Sequence, residues 1–153
     1  MIIILMLGLL LPGPAFALSC ARPSLDQSAI DAAVMIFEGI AGPKRALAPG
    51  ERKAVKSGAV GAIGGGLEDF GVYRFEVTKG WKGADFGQSV QVLFNNYWGD
   101  GFSEGGSYLV VATQQIGDLF WAPLCGHTID VKHAADFGDL ATLERLINES
   151  SNP

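Results

Sequence analysis

Between Gly71 and Gly83 apolar and polar positions alternate. Tyr73, Phe75 and Val77 fall on one side and Arg74, Glu76 and Thr78 on the other, the period of a strand with one buried and one wet face. Lys79-Gly80-Trp81-Lys82-Gly83 follows, offering glycines for a tight turn and a Trp large enough to close the end of a β-core. Ser89 to Asn95 repeats the alternation with Val90, Val92 and Phe94 on one face. Val34 to Ala41 is a mostly apolar run of strand length, with Gly39 predicting a bulge or a sharp bend into a barrel. Tyr108 to Thr113 reads as a central strand buried on both faces. After a turn over Gln114 to Asp118, Leu119 to Ala122 makes a fifth strand, which Pro123 ends.

Helical patterns flank these strands. Ser24 and Gln27 stand in a capping-box arrangement ahead of Ala29, Ile30 and Ala33, predicting a helix of about ten residues. From Ala134 onward, Phe137, Leu140, Leu143, Leu146 and Ile147 form one stripe, so a terminal helix is expected to pack on the sheet before 149–153 frays. Residues 42–66 read as a long flexible loop, opened by Gly42-Pro43, turned by Pro49-Gly50 and closed by Gly64-Gly65-Gly66. Within it Lys44, Arg45, Arg52, Lys53 and Lys56 face one acid, Glu51, giving a net +4 in a chain whose total is -5. That basic patch predicts a solvated hairpin loop or a finger for an anionic partner such as a membrane surface. A second loop, 95–101, carries Tyr97 and Trp98, as a rim of the core or as a contact surface.

The first residues change the picture of where the chain works. Residues 1–11 are almost wholly apolar, Pro12-Gly13-Pro14 breaks the run, and Ala15-Phe16-Ala17 fits an A-x-A cleavage site. Residues 1–17 are therefore expected to be a signal peptide, with a secreted or periplasmic domain over 18–148. The run is short for a membrane span, which takes about 20 residues. Both cysteines, Cys20 and Cys125, lie in the exported part, and one disulfide between them is the expectation in an oxidising compartment. The alternatives are two free thiols, or a lipid-modified Cys20 on the loose lipobox Ala17-Leu18-Ser19-Cys20.

Catalytic chemistry is not indicated. No Gly-x-Ser-x-Gly elbow, His-Glu-x-x-His helix or four-thiol zinc pattern occurs, and the two histidines, His127 and His133, sit without an orienting partner in the sequence. No catalytic residue, metal site or cofactor is expected, and the fold class is mainly β, a five-stranded OB-fold barrel with a short N-terminal and a C-terminal helix. An acidic exported chain is a poor nucleic-acid binder, so a protein partner is expected and a monomer is the default.

The ordered motifs resemble a family. Ser-Cys-Ala-x-Pro-Ser, Val-Met-Ile-Phe-Glu-Gly, Tyr-Arg-Phe-Glu-Val-Thr-Lys-Gly-Trp-Lys-Gly, Gly-x-Tyr-Leu-Val and Leu-Cys-Gly-His-Thr, in that order, are similar to the bacterial tissue inhibitor of metalloproteinases-like proteins of the netrin-like OB-fold superfamily. The resemblance implies a zinc metalloprotease as partner, chelated through the amino group and carbonyl of a first residue held rigid by disulfides. Here Ser19-Cys20-Ala21 takes the place of the second Cys of the family's Cys-x-Cys start, and Leu18 that of the first. The resemblance thus implies a partner-binding ridge of Leu18, Ser19 and Cys20 beside Tyr97 and Trp98, with Cys20–Cys125 as the retained disulfide. The alternative is a non-inhibitory cell-envelope interaction module that uses the basic loop or the barrel face.

Overall fold

The computed structural model describes residues 23–57, 66–97 and 101–151. The expected signal peptide, Leu18, Ser19, Cys20 and Trp98 lie outside them. The element order is α1 (Gln27–Ala32), β1 (Met35–Arg45), α2 (Pro49–Ser57), β2 (Phe70–Lys82), β3 (Ser89–Asn95), β4 (Ser107–Ala112), β5 (Gln114–Ile116), β6 (Leu119–Trp121), β7 (Ile129–Asp130), α3 (Val131–Asp136) and α4 (Asp139–Ser151). The fold is mainly β, built on one curled, barrel-like sheet.

The sheet has seven strands in the order β5-β6-β3-β2-β1-β4-β7, where five were expected. The difference lies in two short segments. β5 continues β4 beyond Thr113 and occupies most of the expected turn over Gln114 to Asp118, which leaves only Gly117-Asp118 as the turn. β7 is a two-residue strand beside Tyr108 and Leu109, too short to show a period in the sequence. β4 pairs with β1 and β5 with β6, and only Thr113 separates them, so the two flanks of the sheet are successive parts of one chain. The Thr113 N–H donates to the Trp121 carbonyl at 2.9 Å and keeps the path continuous.

Alternation sorts the side chains as the strand pattern requires. Phe37, Tyr73, Phe75, Val77, Val90 and Val92 point into the barrel with Val110 and Ala112. Ile36, Leu109 and Val111 point outward beneath α1, α3 and α4. Val72, Leu93, Leu119 and Trp121 point outward on another side, beneath Val55 of α2 and Leu47. Pairing of β1 with β2 slips at Glu38/Gly39, as Gly39 suggested, although the extra residue is Thr78 on β2. A Cβ at Gly39 would stand 2.9 Å from the Glu76 carbonyl oxygen and from the Phe37 ring, so the close approach there needs glycine.

Three expectations about helices are corrected. α1 is capped by Asp26, which accepts the Ala29 N–H at 2.9 Å, in place of Ser24, and it spans six residues. The 42–66 loop is strand through Arg45 and helix over Pro49–Ser57; Pro49 occupies the first helical position, where its missing N–H and fixed φ suit a helix start. The terminal stripe is divided by Gly138 at φ 76° into α3 and α4, and this break leaves Phe137 exposed while Leu143 is fully buried.

Candidate functional site

β3 and β6 run parallel, with Leu93 opposite Trp121, so both strands leave the sheet at one rim. Tyr97 and Cys125 each lie four positions beyond that pair, in the segments that follow the two strands. Tyr97 is about half exposed, and its N–H donates to the Asn95 side-chain oxygen at 2.8 Å. Cys125 is half-buried in the segment that returns to β4, where the Val111 N–H donates to Thr128 Oγ1 at 3.0 Å. The other end of β4 receives the N-terminal side of the chain, since the Val34 N–H donates to the Ala112 carbonyl at 2.8 Å. Behind the rim, Phe102 closes the barrel: its ring packs against those of Tyr73, Phe75, Phe94 and Tyr108 at centroid distances of 4.8 to 5.0 Å. Tyr73 Oη donates to Asn96 Oδ1 at 2.7 Å and fixes the same loop.

The basic residues do not form a single mobile finger. Lys44 and Arg45 end β1, while Arg52, Lys53 and Lys56 lie on the exposed side of α2. Arg45 holds Glu51 in a two-pronged ion pair, Nη1 to Oε2 and Nη2 to Oε1, both at 2.7 Å, and Nη2 also donates to Gln91 Oε1. The Glu51 carboxylate reaches back to accept the Ala48 N–H at 2.7 Å, so one side chain caps α2 and ties it to β1. The hydrogen bonds from Arg45 hold the Glu51 carboxyl below the ordinary carboxylate range, and Glu51 in turn holds the Arg45 guanidinium above its ordinary value. Lys44, Lys53 and Lys56 make no ion pair among the described residues.

Between the helix-covered faces a strip of the outer sheet is left bare. It is a groove of about 420 Å³ lined by Ile40, Ala41, Gly42, Pro43, Lys44 and Arg45 of β1 with Arg74, Glu76 and Gln91 of β2 and β3. Its shape comes from a bulge, because Gly42 and Pro43 stand opposite Arg74 alone between the pairs Ala41–Phe75 and Lys44–Tyr73. β4 follows β1 only to Ile40, and the loop before β4 bonds only Ala41, so Gly42 to Arg45 have a strand on one side only among the described residues. Arg74 Nε and Nη2 donate to Glu76 Oε1 at 3.0 and 2.7 Å in the groove lining. Sequence reasoning placed Arg74 and Glu76 on a wet face but gave no reason to join them to Lys44 and Arg45. The pairing register that does so is set by the bulge.

No group of three or more His, Cys, Asp or Glu is placed to hold a metal among the described residues. His133 is exposed and stacks on Phe137 at 6.5 Å, while His127 is half-buried on the loop after Cys125. No described helix is long and apolar enough to cross a membrane. Compared with known proteins, the chain matches no family model and none of the curated proteins.

Proposed function

We propose that this chain is an exported OB-fold domain that binds a protein partner through an N-terminal ridge, in the manner of a metalloprotease inhibitor. The OB-fold reading is supported by the strand path: an antiparallel β1–β2–β3 meander whose third strand meets β6 in parallel, with β4 and β5 counted as one strand between them in the chain. The ridge itself rests on one observation, the common exit at a single rim of β3 and β6, the strands that lead to Tyr97 and Cys125. A Cys20–Cys125 disulfide, consistent with the absence of a free thiol among the described residues, would deliver Leu18 and Ser19 to that rim. Cleavage after Ala17 would give Leu18 a free amine with an ordinary pKa of about 8, part of which is neutral at pH 7 and able to ligate zinc. The role is one of binding, with no residue assigned to catalysis.

The test is inhibition of a panel of zinc proteases by protein beginning at Leu18. Inhibition at micromolar concentration is expected, and one added residue ahead of Leu18 should abolish it by moving the amine. A panel left fully active, or inhibition indifferent to the added residue, removes the ridge as the working surface. A second reading, an envelope interaction module without inhibitory action, is favoured by the cationic groove. Neutralising Lys44, Arg45, Arg52, Lys53 and Lys56 together should then release the protein from the envelope.

A further inference from the structure

The bare groove is a concave part of the outer sheet where charge and apolar surface converge. Its floor is Ile40, 44% exposed although apolar, with Ala41 and Pro43 beside it. Around it stand Lys44, Arg45 and Arg74, with Arg52, Lys53 and Lys56 on the neighbouring helix, against Glu51 and Glu76, a net +4. The remainder of the chain therefore carries -9 of the total -5. A positive face on an otherwise acidic body selects and steers a negative partner.

The cations differ in what they have to give. Arg45 is already engaged by Glu51, Gln91 and the Ala46 carbonyl, so it serves as the rigid wall of the groove. Arg74 uses Nε and Nη2 on one oxygen of Glu76, and no bond from its Nη1 is made among the described residues. Lys44 is exposed and makes no ion pair among the described residues. Of the three cations that line the groove, Lys44 and Arg74 thus have donors to spare beside the apolar floor. The volume is that of a ligand cleft, and its concavity suits a peptide segment better than a flat bilayer surface. Pro43 and Lys44 on the open edge of β1 are the residues that discourage continuation of the sheet, so an occupant would be held by side chains more than by strand pairing.

We propose that the groove formed by Ile40, Pro43, Lys44 and Arg74 docks an acidic peptide segment of a protein partner, its aliphatic side chain on Ile40 and Pro43 and its carboxylates on Lys44 and Arg74. This names the partner chemistry of the envelope-module reading and rests on it, while standing independently of the ridge. The probe is a fluorescent octapeptide of alternating Glu and Leu, titrated against the purified full chain, with an alternating Gln and Leu peptide as control. The expected result is saturable binding of the Glu peptide that weakens as salt rises, with the Gln peptide at least tenfold weaker. K44Q/R74Q should weaken it about tenfold, as loss of two rim charges predicts. In the unaltered protein, amide shifts on titration should centre on Ile40, Arg74 and Gln91. This second readout holds whether or not the double variant folds. Equal binding of both peptides, binding unaffected by K44Q/R74Q in a folded variant, or shifts centred elsewhere overturn the proposal. Binding only to phosphatidylglycerol vesicles, or a dimer by sedimentation that closes the groove to peptide, also overturns it. Envelope retention lost in the five-residue variant, with no peptide binding, would leave the envelope reading standing and remove this one.

Discussion

Glu51 shows how much one side chain in an apparent loop decides. It accepts the Ala48 N–H and both prongs of Arg45, so it fixes the start of α2 and the wall of the groove together. Arg45 is 42% exposed and Glu51 24%, so solvent screening keeps the contribution modest. Glu51→Gln should lower stability at pH 7 by about 1 kcal/mol, measured by urea unfolding. Because the carboxyl is held below its ordinary value by Arg45, its contribution is complete above the unfolded value of about 4.3 and disappears as pH falls through the lower folded value. The gap between wild type and variant should therefore be steady from pH 7 to pH 5 and close below pH 4. A gap that widened with acid would contradict this assignment. In the sequence Glu51 is one acid among five bases; that it answers Arg45 in particular depends on a helix reversing the chain after β1, which charge counting does not show.

At the scale of elements, legibility follows period and burial. β2 and β3 alternate over enough residues for the strand period to stand out, and β3 falls on the expected Ser89–Asn95. α2 was not legible, since Val55 is its one buried residue and its Pro49-Gly50 start reads equally as a turn. The division of the terminal helix was hidden for the opposite reason: the apolar stripe continues across Gly138, and only its positive φ ends α3. Phe102 carries no periodic signal, because it belongs to a loop and is buried only once the barrel mouth exists to receive it. Its neighbour Gly101, at φ 69°, lies so close to Tyr73 Oη and Asn96 Oδ1 that a Cβ would collide with both. Phe102→Ala should accordingly cost about 3–4 kcal/mol, as loss of a buried aromatic that four rings surround. Phe102→Leu should recover much of it. If thermal unfolding shows Phe102→Ala within 1 kcal/mol of wild type, on the scale of an exposed substitution, the plug is not part of the core.

At the scale of the whole molecule, the two proposed surfaces answer differently to one covalent bond. The proposed Cys20–Cys125 disulfide would close a loop of about 105 residues, and its removal should lower stability by about 2–5 kcal/mol. The ridge depends on that bond twice, for stability and for holding Leu18 and Ser19 in place, since ordering them on binding would weaken affinity. The groove depends on it only through the fold, because Lys44, Arg45, Arg74 and Gln91 are fixed by the pairing of β1, β2 and β3. Cys20→Ser/Cys125→Ser protein, assayed well below its unfolding midpoint, should lose protease inhibition by at least tenfold while binding the Glu-Leu peptide within twofold of wild type. Equal loss of both activities would mean that the disulfide acts through the fold alone, and no loss of inhibition would separate the chelating end from the staple. Intact mass before and after reduction and alkylation comes first, because it reports both the mature first residue and the state of the two thiols. A chain beginning at an acylated Cys20 would lack Leu18 and have no disulfide, and the groove would then be the surface to pursue.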